Sequence, residues 1–249
     1  MIIHLLWTNS HYKIKFIIFA PFKKMNVQEF WQENRAKYSN YYSENTKKVN
    51  YIAIGVLAII GLSSYWTLVY QPSQEKTASE KIARLHFYFK NDSMNVVVKG
   101  DKSLKIASAP SIADDYSSTR AGKEAALMAG IAYAKTGKPK EAIEYLNKTS
   151  IKDKLLSAQV MAMKAGCMSD LGDDDDAASM YEKAAAVDDN DFSATFLKKA
   201  GIHYEMCKDY KSALKCYDTI LKKYSATAEG SDIEKYIYKV KALMGEFNP

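Results

Sequence analysis

The hydrophobic pattern divides the chain into one uninterrupted apolar run and a longer stretch of periodic alternation. Residues Tyr51–Tyr70 read YIAIGVLAIIGLSSYWTLVY, with no charged side chain among the 20. A helix of that length rises about 30 Å, the thickness of a bilayer's hydrocarbon core. Gly55, Gly61, Ser63 and Ser64 suit a membrane helix better than a soluble one. Tyr51 stands at one end, and Tyr65, Trp66 and Tyr70 at the other, where rings match the two interfaces. Pro72 then ends or kinks the regular segment. The run predicts a transmembrane helix over 51–70; the alternative is a buried core helix. A cleaved signal peptide does not fit, because the run is too long, begins far from residue 1 and is followed by no small-x-small site.

Beyond Ser73, apolar residues recur at i, i+3, i+4 and i+7, the pattern of amphipathic helices. Three stretches repeat one another: AGIAYAKTGKPKEAIEYLNK (Ala129–Lys148), KAGCMSDLGDDDDAASMYEKAAA (Lys164–Ala186) and AGIHYEMCKDYKSALKCYDTIL (Ala200–Leu221). Each holds a small residue (Gly130, Ala165, Gly201) with a large one three later (Tyr133, Met168, Tyr204). A second helix then carries an alanine (Ala142, Ala177, Ala213) with a bulky partner (Leu146, Tyr181, Tyr217). All four sets are spaced by 35 and then 36 residues. Small residues let two antiparallel helices approach, and the bulky partner fills the gap one turn away. Gly137 and Gly172 suit left-handed helix ends at the first two turns, and Cys207-Lys208-Asp209 makes the third.

A fainter echo extends the array. Tyr116-Ser117-Ser118-Thr119-Arg120-Ala121-Gly122 resembles Tyr224-Ser225-Ala226-Thr227-Ala228-Glu229-Gly230, 108 residues on. A helix ending near Tyr116 is therefore expected to occupy the same place in its hairpin as one ending near Tyr224. Ser73–Lys90 and about Ile106–Tyr116 then form a degenerate first hairpin around a loop at Asn91–Lys105. Ser231–Met244 reads as a capping helix over the last open face.

The 35–36-residue hairpin with its small, aromatic, alanine and aromatic positions resembles the tetratricopeptide repeat (TPR). The resemblance covers about Lys123–Tyr224; the family's first-helix Trp is replaced by Ala126, Met161 and Leu197, and its late Pro is missing. It implies an α-solenoid whose concave face is lined by first-helix positions. These map to Glu124, Leu127, Ile131, Ala134 and Lys135, to Gln159, Ala162, Gly166, Ser169 and Asp170, and to Thr195, Lys198, Ile202, Glu205 and Met206. Leu127 and Ile131 stand where co-chaperone members place the Lys and Asn of a carboxylate clamp, so an acidic chaperone tail is not the expected ligand. The lining suits a helix or an extended peptide.

Composition narrows the picture. Only 11 Gly and 5 Pro occur in 249 residues, which favours long helices over a turn-rich β fold. The fold class is thus all-α: one N-terminal transmembrane helix, then a TPR-like solenoid with a C-terminal capping helix. The segments are 1–50 (N-terminal), 51–70 (membrane), 71–122 (degenerate hairpin), 123–230 (three repeats) and 231–249 (cap and tail). The formal net charge is +6, but residues 1–70 hold eight Lys/Arg against three Asp/Glu, so the excess sits beside the apolar run. That distribution speaks for membrane topology and against a nucleic-acid partner. Arg35, Lys37, Lys47 and Lys48, reinforced by Lys13, Lys15, Lys23 and Lys24, outweigh Lys76, Lys81 and Arg84 and place the N-terminus in the cytoplasm. Met25 begins a polar stretch, MNVQEFWQENR, that reads as the natural start. The upstream Ile17–Phe22 is too short to span and otherwise suits an interfacial segment.

Nothing in the chain predicts catalysis. Cys167, Cys207 and Cys216 form no CxxC pair and read as buried thiols, although a Cys207–Cys216 bridge between neighbouring helices is conceivable in an oxidising compartment. Asp173–Asp176 and Asp188–Asp191 lack the alternating ligands of a calcium loop, and the first suits a helix N-terminus. His4, His11, His86 and His203 have no partners at ligand spacing, and no glycine-rich phosphate loop occurs. No catalytic residue, metal, cofactor or small-molecule substrate is expected.

A short N-terminal segment, one span and an external domain of this size resemble the bacterial YfgM-like family, and the junction at Thr119–Gly122 strengthens the likeness. That family implies an inner-membrane protein with a periplasmic C-terminal domain, ancillary to the SecYEG translocon and working with a PpiD-type periplasmic chaperone on exported chains. The rival reading is a scaffold or assembly factor for another envelope complex.

Overall fold

A computed structural model describes residues 27–246, and the expectations for residues 1–24 lie outside them. The chain divides into two units, 1–63 and 64–249, and among the described residues all regular structure is helical.

Helix α1 (Val27–Tyr65) makes up most of the first unit and carries the apolar run as far as Tyr65. Asn45 departs from helical geometry (φ −123°, ψ 24°) and kinks the helix ahead of the run. The side chains of Asn45 and Thr46 turn back onto the carbonyls of Tyr41 and Tyr42 there. Every residue from Tyr51 to Tyr70 is exposed, and no part of the apolar window is buried among the described residues. A buried core helix therefore does not describe it. By length and composition it can cross a membrane.

The second unit begins with a wide π turn at Trp66–Tyr70, where the Gln71 amide reaches the Trp66 carbonyl. Pro72 follows in the first turn of α2 (Gln71–Lys90). Proline has no N–H for the carbonyl four residues back and clashes with it. The π turn absorbs that defect, so Pro72 neither ends the helical path nor breaks it.

Six hairpin helices follow: α5 (Arg120–Lys135), α6 (Pro139–Asn147), α7 (Lys154–Asp170), α8 (Asp174–Val187), α9 (Asp191–Met206) and α10 (Tyr210–Lys223). The stretch before them holds α3 (Met94–Lys99) and α4 (Ala109–Asp115), and α11 (Ala228–Ser231) and α12 (Ile233–Leu243) close the array. The loop expected at 91–105 is thus partly helical. Met94 and Val97 of α3 are buried, and an Asp101–Ile106 bridge closes the loop behind them. The apolar run Val96–Val98 is the signal that reading missed.

The small-against-large pairs meet as helix packing demands. A Cβ on Gly130 would stand 2.6 Å from Leu146 Cδ2, and one on Gly201 2.3 Å from Tyr217 Cε1. Both bulky partners are fully buried. Removing a side chain of that size from water contributes about 1.5–3 kcal/mol.

The ends of α2, α5, α7, α9 and α12 share one geometry. In each, a left-handed residue (Asp92, Gly137, Gly172, Lys208, Gly245) is followed by an amide that reaches five residues back, as Lys138 does to Tyr133 and Asp173 to Met168. This hydrogen bond satisfies a carbonyl that a helix end leaves open. Three of the five positions are glycine, the residue that adopts positive φ freely. Lys208 and Asp92 do so with a side chain.

The 108-residue echo corresponds to one repeated junction. Tyr116 caps α4 and Tyr224 caps α10. In each case a threonine (Thr119, Thr227) bonds the tyrosine's carbonyl and accepts from a glycine amide (Gly122, Gly230). Glu75 of α2 completes the first junction by accepting from the Arg120 and Ala121 amides.

Candidate functional site

The eleven concave-face candidates and their neighbours fall into three groups. Glu124 and Lys135 of α5 are engaged by the preceding helix: Glu124 faces His86 Nε2 at 3.1 Å and Lys135 pairs with Asp92 at 2.6 Å. Leu127 and Ile131 between them are half-buried. On α7, Gln159 and Asp170 are exposed, and Ser169 donates to Asp174 across the turn. On α9, Thr195 donates to Glu229 and Lys198 lies over the Tyr236 ring. Ile202, Glu205 and Met206 come together in one depression.

That depression lies between α9 and α12. Ile202, Glu205, Met206, Tyr210, Tyr236, Lys239 and Leu243 line an open groove of about 400 Å³. Its exposed surface is chiefly apolar, since Ile202 is 37%, Met206 59% and Leu243 50% exposed. Glu205 is the charged residue at its floor, with a side chain only 8% exposed. Its carboxylate accepts from the Tyr217 hydroxyl at 2.6 Å and pairs with Lys239 at 2.6 Å. Burial, and then the bond to Glu205, hold the Tyr217 hydroxyl far above the ordinary phenol range, so it stays a donor. The groove's ionic groups thus satisfy one another.

Tyr210, Tyr236, Lys239 and Leu243 were not among the sequence candidates. The periodicity of Ile233–Leu243 was visible, but which of its faces meets α9 depends on packing across a sharp turn.

The acidic cluster at Asp173–Asp176 forms the N-cap and first turn of α8. Asp174 there accepts from Ser169 and lies 2.9 Å from His203 Nδ1, whose ring stacks on Tyr181 at 5.5 Å. These residues join α7, α8 and α9. The three cysteines are free; Cys167 and Cys216 are buried, whereas Cys207 is exposed, against the expectation of three buried thiols.

Residues 124–149 match the tetratricopeptide repeat family. The match spans most of α5, the Gly137 turn and α6. No curated protein matches the chain. This chain therefore carries a tetratricopeptide-type helical hairpin within an all-helical domain, and such repeats generally mediate protein–protein interaction.

Proposed function

We propose that this chain is a membrane-anchored protein-interaction module. A helix over 51–70 anchors it, with 1–50 in the cytoplasm. Residues 71–122, 123–230 and 231–249 form the degenerate hairpin, three repeats and cap of a TPR-like solenoid in the periplasm. By its resemblance to the YfgM-like family, it serves beside SecYEG as an ancillary subunit that passes exported chains to a PpiD-type chaperone.

The groove between α9 and α12 is the observation that carries the interaction reading. Glu205 and Lys239 already neutralise one another, so a charged anchor from a partner would have to break that pair. An uncharged apolar side chain breaks nothing and gains the exposed faces of Ile202, Met206 and Leu243. The partner segment is accordingly apolar, on a helix face or an extended strand.

Gentle detergent solubilisation and pull-down with the full chain tests this, beside an Ile202→Glu/Met206→Glu variant. SecY and a periplasmic isomerase should be retained by the native groove and lost from the variant. Retention of a different defined envelope complex favours the scaffold reading, and capture unaffected by the variant removes the groove from the function. Protease added to intact spheroplasts should cut the C-terminal domain; resistance until lysis overturns the orientation.

A further inference from the structure

We propose that the helical array contains a joint at Thr149–Asp153, between α6 and α7, about which two lobes move relative to one another. Most buried side chains fall into two clusters, while Ala142 and Leu146 of α6, Val160 and Cys167 of α7 and Ala177 of α8 are buried outside both. One draws on α2 to α6, from Ala78 through Leu85, Ile112 and Ala129 to Tyr145. The other draws on α7 to α12, from Ala158 through Tyr181, Leu197 and Tyr217 to Val240.

The origin of the division is in the repeat register. Helices α8 and α10 have 14 residues each, whereas α6 has nine. The missing final turn is the one that joins a hairpin to the next. In α8 that turn supplies the buried Ala184 and Ala185, and in α10 Ile220 and Leu221, all packed into the second cluster. The matching positions after α6 are Thr149 and Ser150, which are polar. Thr149 turns its hydroxyl onto the Leu146 carbonyl and closes the helix early. Asp153 then caps α7 through the Leu156 amide, so Thr149 and Asp153 each bond to their own helix end rather than across the connection.

Polar ties follow the same division. Glu75 caps α5, Lys81 donates to Tyr116, and Asp114 accepts from Tyr145 and Lys148, all before the connection. After it, Tyr204 and Lys215 converge on Glu182, His203 meets Asp174, and Lys239 meets Glu205. Each of these pairs stays on its own side of Thr149–Asp153. Packed cores and ion pairs resist deformation, and a junction that neither core cluster crosses is where a helical array bends. The Glu124–Lys135 face and the groove at Met206 lie on different lobes, so movement at the joint changes their separation.

The test measures distances between spin labels in the full chain, with Cys167→Ala, Cys207→Ser and Cys216→Ala replacing the native thiols. Labels at Lys123 and Lys199 span the joint. Labels at Lys76 and Lys123, and at Lys183 and Lys222, stay within one lobe. The spanning distribution should be about twice as wide as either control, as hinge motion requires; equal widths overturn the joint. Hydrogen exchange across a urea series, on chains that keep the native cysteines, gives a second measurement. Ile112→Ala should lower the midpoint of α2–α5 amides by about 1 M or more and leave α8–α10 unmoved, with Ile220→Ala doing the reverse. A common shift of all helices by either substitution overturns the proposal.

Discussion

Gly201 of α9 and Tyr217 of α10 are packed so closely that a methyl group on the glycine would lie 2.3 Å from the tyrosine ring. Tyr217 has no room to yield, being fully buried with its hydroxyl on Glu205. Gly201→Ala should therefore destabilise the domain by about 1–3 kcal/mol, read from the urea midpoint. Gly166→Ala on α7 is the control. Its new carbon meets Tyr181 Oη at 3.4 Å, an ordinary contact. Alanine's better helix propensity should leave that variant as stable as the parent or more so. Equal losses in both would show that the close approach at Gly201 is not the cause.

Lys208 holds the left-handed position that Gly137 and Gly172 hold in the other two turns, with φ of 62°. A side chain is strained there, while glycine is not. Lys208→Gly should raise stability by up to about 1 kcal/mol, measured by thermal or urea unfolding. A loss of stability would mean that the lysine side chain contributes more than its backbone strain removes.

Acid should weaken the N-terminal lobe through Asp114. Burial raises its carboxyl, but the bonds from Lys148 and Tyr145 outweigh that and hold it below the usual carboxylate range. A carboxylate with a depressed folded pKa stabilises above its unfolded value near 3.9 and loses that contribution as pH falls through the folded value. The urea-midpoint gap between parent and Asp114→Asn should be constant from about pH 5 to 8 and shrink below about pH 4. Half of the Asp114 side chain is exposed, so added salt should narrow the gap as well. Tyr145 adds an alkaline dependence: burial, then its bond to Asp114, push it up to about 12. The unfolded chain ionises first, so stability should fall as pH rises past about 10, and less so in Tyr145→Phe.

The cysteines should separate by reactivity. Cys207 is exposed and should take up maleimide in the folded protein, whereas Cys167 and Cys216 should react only on unfolding. Burial pushes the Cys216 thiol up to about 12. Cys207 is also raised, by partial burial and then by the carboxylates of Asp174, Asp175 and Asp209. Its labelling near neutral pH should be slower than that of a free thiol and should quicken with salt, as screening weakens those carboxylates. Stopped-flow labelling with mass-spectrometric site assignment reads both effects; fast labelling of Cys216 in the native state would contradict its burial.

By itself, the sequence determined what depends on neighbours within a turn or two of helix. The uncharged run Tyr51–Tyr70, the amphipathic periods, Gly137 and Gly172 at helix ends, and the recurrent Thr119–Gly122 and Thr227–Gly230 junctions are local patterns, and backbone sterics and capping act over that range. The small-and-large spacing marked the crossing of each hairpin, but that Gly130 meets Leu146 and Gly201 meets Tyr217 came only with the packing. Tertiary structure alone decided what depends on register between distant segments. It buried Met94 and Val97 of α3, turned Tyr236 and Leu243 toward Ile202 and Met206, and brought Asp114 to Tyr145 and Lys148. It also separated the core at Thr149, where a polar residue takes the place that Ala184 and Ile220 hold in the other hairpins. Those outcomes rest on which surfaces are left to cover once the hairpins have formed, and no window of adjacent residues contains that information.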